Sequence, residues 1–400
     1  MKKRKILFIH NKAMWYRIPL FNTLAGDMDV KFIFTNENKV EGLRRKYKIL
    51  RRYGCHSFNV ALGLVLRLIR EEYDVVVFPP TGSPGEIIDN FFCFVIAKLV
   101  RKPYIIWSER WICKKVKRSL VRRVYRSIDQ AFMSCICRYA GACVTSGGTK
   151  QKDYFTSLGI PENRIFIVPY LSDIAAKNFD FQHLEEKKKK IEEGLKVKNK
   201  KIILCVARLI ERKGIHYLIK AFAKLKREIE GVSLVIVGGK DYYGSEKFYG
   251  DKLKRLCLDL NVSKDVLFVG HIKSDDLPSY YLLCNFLVFP SIADTFADTG
   301  GLPISDAMYF SKPVISTDVV GFAYDLVKDG LNGFMVPEKD TDALYQAMKM
   351  IVTNPDLEKK MGVESKRMIE EKFAFGEMVK RFEEAIEYAS KGLGGSCLFD

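Results

Sequence analysis

The stretch Pro290-SIADTFADTGGLPISDAMYFSKPVIS-Thr317 decides how this chain is read. It runs from a strand end through a glycine turn into a helix, and then through a Lys-Pro step into a second strand. A helix that starts after a glycine turn aims its unpaired N–H groups and positive dipole end at whatever lies in front of it. Phosphate is the common occupant of such a place. Asp298 and Asp306 stand on either side of Gly300-Gly301. Carboxylates repel phosphate and suit hydroxyl groups, so phosphate and polyol together point to a nucleotide sugar.

Outward from this stretch, strand and helix alternate along most of the chain. Apolar runs at Lys5–His10, Val30–Thr35, Asp74–Pro79, Pro103–Trp107, Ala142–Gly147 and Ile165–Pro169 read as strands of a first parallel sheet with crossover helices. Runs at Lys201–Ala207, Val232–Gly238, Val266–Gly270, Phe286–Pro290 and Pro313–Thr317 repeat the pattern. Between them, His183–Lys201 is dense in charge and reads as a solvated helix and connector. The expected α/β organisation is an N-terminal domain over 1–180, a charged linker over 181–200 and a C-terminal domain over 201–375. The amphipathic helix and tail of 376–400 are expected to return to the first domain. Two doubly wound domains facing each other place ligands at the carboxyl ends of their strands, in the cleft between them.

Four hundred residues with 48% hydrophobic content suffice for two cores, and the net charge of +18 favours anionic partners. No apolar run reaches the length of a membrane span, and Ile6–Ile9 is too short for a signal-peptide core. A cytoplasmic location follows from that reading. The ten cysteines lack a CxxC pair and read as reduced and buried; no metal is expected.

The turn Val206-ARLIERKG-Gly214 follows a strand directly. Arg208 and Lys213 are placed there to clamp a diphosphate, whose charge grows as a glycosidic bond to it breaks. Arg212 reads as solvated. Gly238-Gly239 and Gly270-His271-Ile272 close two further strands, where glycine lets the backbone approach a ligand.

Taken in order, Arg208 with Lys213, Gly270-His271, Pro290-Ser291, the two carboxylates across Gly-Leu-Pro, and Gly321-FAYDLVKDGLNGFMV-Pro337 resemble the retaining GT-B glycosyltransferases of family 4, group 1. The resemblance implies transfer of a sugar from a nucleotide diphosphate sugar, with retained anomeric configuration. It implies two facing Rossmann-like domains, the second holding the donor. Matched position by position, Arg208 and Lys213 take the diphosphate, and Asp298 the sugar hydroxyls. Gly300, Gly301 and Leu302 supply backbone amides, Asp306 meets the ribose, and His271 with Ile272 lies against the base. Gly238 borders the same site. The family has Glu at both carboxylate positions where this chain has Asp, and often an aromatic where Gly300 stands. Asp306, early in a helix, also suits the dipole by charge alone.

In the first half, Tyr16-Arg17-Ile18-Pro19-Leu20-Phe21-Asn22 is similar to a subset acting on surface polysaccharides and glycolipids. Trp107-Ser108-Glu109 ends a strand where relatives place a histidine. Glu109 either holds an acceptor hydroxyl or donor oxygen, or pairs with Arg110 or Lys114. His10 is read as structural. Lys114, Arg118, Arg122 and Arg126 recur every four residues, with Lys115, Lys117 and Arg123 alongside, and Arg44-Arg45-Lys46, Lys48, Arg51 and Arg52 form a second cluster. Together they suggest contact with an anionic membrane carrying a lipid-linked or polysaccharide acceptor. Nucleic acid is not expected, since no aromatic interleaving is present. Two other readings stay open: a nucleotide-sugar epimerase of the same fold, and a non-catalytic nucleotide-sugar-binding subunit.

Overall fold

The computed structural model describes residues 3–10, 17–35, 47–49, 58–78, 84–111, 113, 115, 120–168, 174, 179–239, 248–294 and 297–391. The chain divides into two compact units. The first comprises 1–112, 118–173 and 375–400; the second comprises 113–117 and 174–374.

The first unit begins β1 (Lys5–His10), α1 (Ile18–Asp27), β2 (Asp29–Phe34), β3 (Tyr47–Ile49), α2 (Phe58–Arg70), β4 (Val75–Phe78) and α3 (Pro84–Leu99). It continues β5 (Tyr104–Ser108), α4 (Leu120–Arg138), β6 (Ala142–Thr145), α5 (Thr149–Ser157) and β7 (Ile165–Ile167). The strands form one sheet in the order β3-β2-β1-β4-β5-β6-β7, every pair parallel. Strands such as Val75-Val-Val-Phe78 are apolar throughout because helices cover both faces.

The second unit runs α6 (Phe181–Leu195), β8 (Lys201–Val206), α7 (Ile215–Glu228), β9 (Val232–Val237), α8 (Tyr249–Asp259), β10 (Val266–Gly270) and α9 (Leu277–Leu283). It continues β11 (Phe286–Phe289), α10 (Leu302–Tyr309), β12 (Val314–Thr317), α11 (Ala323–Leu326), β13 (Gly333–Val336), α12 (Thr341–Thr353) and α13 (Pro355–Lys372). Its sheet has the order β10-β9-β8-β11-β12-β13, again parallel. Each sheet therefore reverses its winding once, between β1 and β4 in the first unit and between β8 and β11 in the second. Such reversal points are where open parallel sheets hold ligands, outside the strands' carboxyl ends.

The final helix, α14 (Phe375–Lys391), belongs to the first unit. Its apolar residues Met378, Val379, Phe382, Ala385, Ile386 and Ala389 recur at helical spacing and are buried. The Phe382 ring lies 5.8 Å from Phe8 and 5.3 Å from Trp107. Gly141 abuts the backbone of Ala389, and a Cβ there would come within 2.9 Å of it.

Three expectations need correction. Residues 181–195 are not a free connector. Leu184, Ile191 and Leu195 share a helical face that enters the second unit's core, Asp180 caps the helix, and Lys187 pairs with Asp276 at 2.7 Å. The charge run hid a sparse apolar stripe. The basic stretch is likewise not one helix from residue 114: α4 starts at Leu120, and Lys115 sits in a turn of the second unit, paired with Asp318 at 2.5 Å. Cys135 is exposed rather than buried. Lys114, Lys117, Arg118, Arg44, Arg45, Lys46, Arg51 and Arg52 lie outside the described residues, as do the side chains of Lys48, Arg122, Arg123 and Arg126. Among the described residues no helix is long and apolar enough to cross a membrane.

Candidate active site

The reversal point of the second sheet gathers most of the residues singled out by sequence. The turn after β8 carries Arg208 and Lys213, and the segment after β11 carries Ser291 and Asp298. Two backbone contacts join these turns. Ile292 N donates to Arg212 O at 2.9 Å, and Gly214 packs on the Pro290 carbonyl so closely that a Cβ would overlap it. Gly214 also has φ +64°, in the left-handed region that favours glycine. It ends the short 3-10 turn Glu211–Lys213 and starts α7.

Asp298 is buried and Lys213 half-buried, and their side chains form an ion pair, Lys213 Nζ donating to Asp298 Oδ2. Ser291 Oγ donates to the same oxygen at 2.9 Å, and Arg212 Nη1 stands 3.7 Å away. Arg212 is thus one of the cations around Asp298 and not a solvated loop residue. Burial alone would push the Asp298 carboxyl up; Lys213 and Arg212 outweigh it and hold the group below its ordinary value. For Lys213, burial is the largest influence and draws the ammonium below its usual range, with Asp298 opposing. The Lys213 ammonium also lies 4.8 Å from the centre of the Phe289 ring. The main chain of Asp298 is pinned too: its N–H donates to Val319 O at 3.2 Å, and its carbonyl accepts from Gly321 N at 2.8 Å.

Beyond Asp298 the chain turns at Gly300-Gly301 into α10, with Gly301 at the N-cap and no side chain capping the first turn. Pro303 has no N–H, and Ile304 N and Ser305 N both donate to Gly301 O, at 2.8 and 3.0 Å, so what this helix start offers an anion is chiefly its dipole. A Cβ at Gly300 would meet nothing within 4 Å, so open space lies beside it. Asp306 is buried on the inner side of α10, where Tyr281 Oη donates to its Oδ2 at 3.4 Å. Burial, and then Asp306, push the Tyr281 phenol well above its ordinary value.

Gly238, His271 and Ile272 close the neighbouring strand ends. Gly238 N donates to Gly270 O at 2.8 Å, and Leu209 N donates to Gly239 O at 3.1 Å. A Cβ on Gly238 would overlap the Ala207 carbonyl oxygen. These contacts line up the ends of β8, β9 and β10. Arg208 and His271 are exposed there, while Ile272 is half-buried against the core. Arg208 is close enough to Lys213 to disfavour its charge.

Glu109 is elsewhere, in the first unit. Its described ion pair is with Arg17, while Arg110 pairs with Asp129; Lys114 lies outside the described residues. Arg17 donates to the buried His10 ring and stands over Trp107, 5.6 Å from the ring centre. Residue 17 follows the carboxyl end of β1, which neighbours β4 across that sheet's reversal point, and residue 109 follows β5. Sequence proximity suggested Arg110; the sheet order brings Arg17. Among the described residues no group of three or more His, Cys, Asp or Glu is placed to hold a metal.

Residues 186–368 match the family model described as glycosyl transferases group 1. That segment is under half of the chain, and it contains the candidate-site residues of the second unit from Arg208 to Asp306. The chain is 25% identical over 252 residues to an uncharacterized glycosyltransferase of Methanocaldococcus jannaschii, covering 63% of this chain and 61% of that protein. It is 30% identical over 167 residues to the GDP-mannose-dependent alpha-(1-6)-phosphatidylinositol monomannoside mannosyltransferase of Mycolicibacterium smegmatis, covering 40% and 41% respectively. The match thus spans less than two thirds of either relative. Among solved structures, Anabaena HepE in complex with UDP superposes with a TM-score of 0.75 at 16% identity, covering 96% of this chain and 99% of that one. The fold is the two-domain, Rossmann-like GT-B fold.

Proposed function

We propose that this protein is a retaining glycosyltransferase of family 4 that moves a sugar from a nucleotide diphosphate sugar to an acceptor hydroxyl in glycolipid or surface-polysaccharide synthesis. The observation that carries this reading is the cation pair Arg208 and Lys213 at the second sheet's reversal point, with Lys213 held by the buried Asp298. The match of residues 186–368 to the group 1 model supports it. So do the M. smegmatis relative, named for a GDP-mannose donor and a phosphatidylinositol mannoside, and the UDP in the Anabaena protein.

The reaction breaks the bond between the anomeric carbon and the diphosphate oxygen, and the electron pair leaves with the diphosphate. Arg208 and Lys213 stabilise that growing charge more in the transition state than in the bound donor. An ammonium has three N–H donors, so pairing with Asp298 is compatible with reaching a phosphate oxygen. The acceptor oxygen bonds to the anomeric carbon from the same face, and its proton passes to the departing diphosphate. No strong protein base is needed. Asp298 fixes Lys213 and faces the sugar hydroxyls; the start of α10 with Gly300, Gly301 and Leu302 meets the sugar and phosphate, Asp306 the ribose, and His271 with Ile272 the base. Glu109 orients the acceptor. The acceptor is lipid-linked or a polysaccharide, and the protein works at the cytoplasmic face of a membrane.

The test is a thermal-shift screen against nucleotide diphosphates and their sugars, followed by product analysis with the donor it identifies. Arg208→Ala and Lys213→Ala should each lower turnover by a factor on the order of a hundred or more. Unchanged turnover would sink the mechanism. Epimerised donor without glycosylated product would replace transfer by epimerisation.

A further inference from the structure

Arg212 stands beside the clamp that the functional reading assigns to Arg208 and Lys213. It is the middle residue of the short 3-10 turn Glu211–Lys213. Its carbonyl accepts from Ile292 N at 2.9 Å, which ties it to the segment carrying Ser291 and Asp298. Its side chain is only 24% exposed, and its Nη1 stands 3.7 Å from Asp298 Oδ2. That separation is within ion-pair range and too long for a hydrogen bond, so Arg212 acts on the carboxylate by charge.

Asp298 is satisfied without it. Its Oδ2 already accepts from Lys213 Nζ and from Ser291 Oγ. A second cation there crowds the first: Arg212 opposes the charge on Lys213, and does so more than Arg208 does. Arg208, Arg212 and Lys213 against the one carboxylate of Asp298 leave a surplus of two positive charges in this group. Like charges gathered in a partly buried turn repel one another, and an anion bound among them removes the repulsion. With Asp298 alone in contact, the charge of Lys213 would be cancelled, and the pair would offer a diphosphate little more than a dipole.

We propose that Arg212 is a positioning residue of the diphosphate clamp: it takes up part of the Asp298 charge, so that the carboxylate holds Lys213 in place while the ammonium keeps a net positive field toward the diphosphate. Arginine suits this role because it stays charged at every working pH, whereas burial draws the Lys213 ammonium below its usual range. The titratable and charged groups that face Lys213 are Asp298 from the segment after β11, Arg208 and Arg212 from its own turn, and Cys205 from β8. The proposal rests on the nucleotide diphosphate reading, and the experiment is chosen so that the two can fail separately.

The experiment is calorimetric titration of the full chain with UDP, GDP, UMP and GMP over about pH 7 to 10, on wild type, Arg212→Gln, Arg212→Lys and Lys213→Ala. Arg212→Gln should weaken the diphosphate that wild type prefers by about five- to tenfold, and the matching monophosphate by less than about twofold. Arg212→Lys should restore most of that loss, because the charge remains. The ratio of diphosphate to monophosphate affinity cancels the titration of the base. In wild type this ratio should fall as pH rises and Lys213 loses its proton. In Arg212→Gln the fall should move to higher pH, because a neighbour that opposed the ammonium is gone. Cys205, pushed up to about 12 by burial, titrates beyond that range. A side chain that only braces the turn would leave the fall where it is. The ligand-free melting temperature of Arg212→Gln should stay near wild type, since Asp298 keeps Lys213 and Ser291; a drop as large as that of Lys213→Ala would make Arg212 structural and overturn the proposal. Equal diphosphate affinity in wild type and Arg212→Gln, beside a loss in Lys213→Ala, would overturn it and leave the donor reading standing. So would equal losses of monophosphate and diphosphate, an unmoved pH dependence, or an Arg212→Lys variant as weak as Arg212→Gln. A wild type that binds none of the four nucleotides would overturn the donor reading, and the proposal with it.

Discussion

Half-buried Lys213 faces buried Asp298, and Asp298 Oδ2 is shared by the Lys213 ammonium and, at 2.9 Å, the Ser291 hydroxyl. Replacing one member of such a pair leaves the other charge in a low-dielectric site without its counter-ion, which costs about 3–5 kcal/mol. Asp298→Asn is therefore expected to lower unfolding free energy by an amount near that range. Adding Lys213→Met should restore much of it, because the buried charge is then gone. Urea denaturation of the two singles and the double closes the cycle, and additive losses would show that the pair is not coupled. The folded Asp298 carboxyl is held below its ordinary value, so its contribution is present near neutral pH and is lost as pH falls through that depressed value.

His216, in the first turn of α7, sets an acid limit of its own. Its Nδ1 lies 2.6 Å from Tyr249 Oη. Burial, and then the cations Lys220 and Lys339, draw its pKa down to about 4 from an ordinary 6.5. Between those two values the unfolded chain binds a proton that the folded chain does not. Stability therefore falls as pH drops from 6.5 towards 4, by up to about 2–3 kcal/mol. His216→Gln should flatten that part of the curve. Equal melting-temperature losses from pH 7 to pH 5 in wild type and variant would refute the assignment.

Two glycines of the candidate site should answer to substitution in opposite ways. Gly214 has φ +64° and touches the Pro290 carbonyl, so Gly214→Ala meets both strain and overlap and should cost more than about 2 kcal/mol. Gly300 has open space where its Cβ would be, so Gly300→Ala should change stability by no more than about 0.5 kcal/mol. Chemical denaturation separates them. Gly300→Phe should fold as well, and any effect it has should appear in donor affinity, since the space it fills borders the uncapped start of α10.

The fold was legible because both sheets are buried on two sides, which makes their strands continuous apolar runs such as Val75–Phe78 and Phe286–Phe289. Shorter strands escaped. Tyr47–Ile49 has three residues, and Gly333–Val336 hides inside a loop-like motif. The grouping of Arg208, Lys213 and Asp298 was legible because these residues follow strand ends, where alternation of strand and helix puts them in one place. Their pairing was not. Nothing local to Asp298 announces Lys213, 85 residues earlier. The same holds for Tyr281 beside Asp306, and for the helix Phe181–Leu195, where Leu184, Ile191 and Leu195 are outnumbered by charge but decide the packing.

The pair Arg17–Glu109 is asymmetric in burial, and that asymmetry makes a prediction about which partner can be removed. Arg17 is 5% exposed and Glu109 is 30% exposed. In Glu109→Ala the guanidinium stays buried against His10 and Trp107 and loses this carboxylate, so part of its desolvation is no longer offset. In Arg17→Met the remaining carboxylate is near enough to solvent to hydrate, and the methionine fills an apolar place beside Trp107. Glu109→Ala should therefore destabilise the protein by more than Arg17→Met, and the double variant should resemble Arg17→Met alone. The reverse order in urea denaturation would mean that Arg17 is held mainly by other groups. A Glu109→Ala variant as stable as wild type would instead assign Glu109 to substrate alone, and its loss would then be read in acceptor KM.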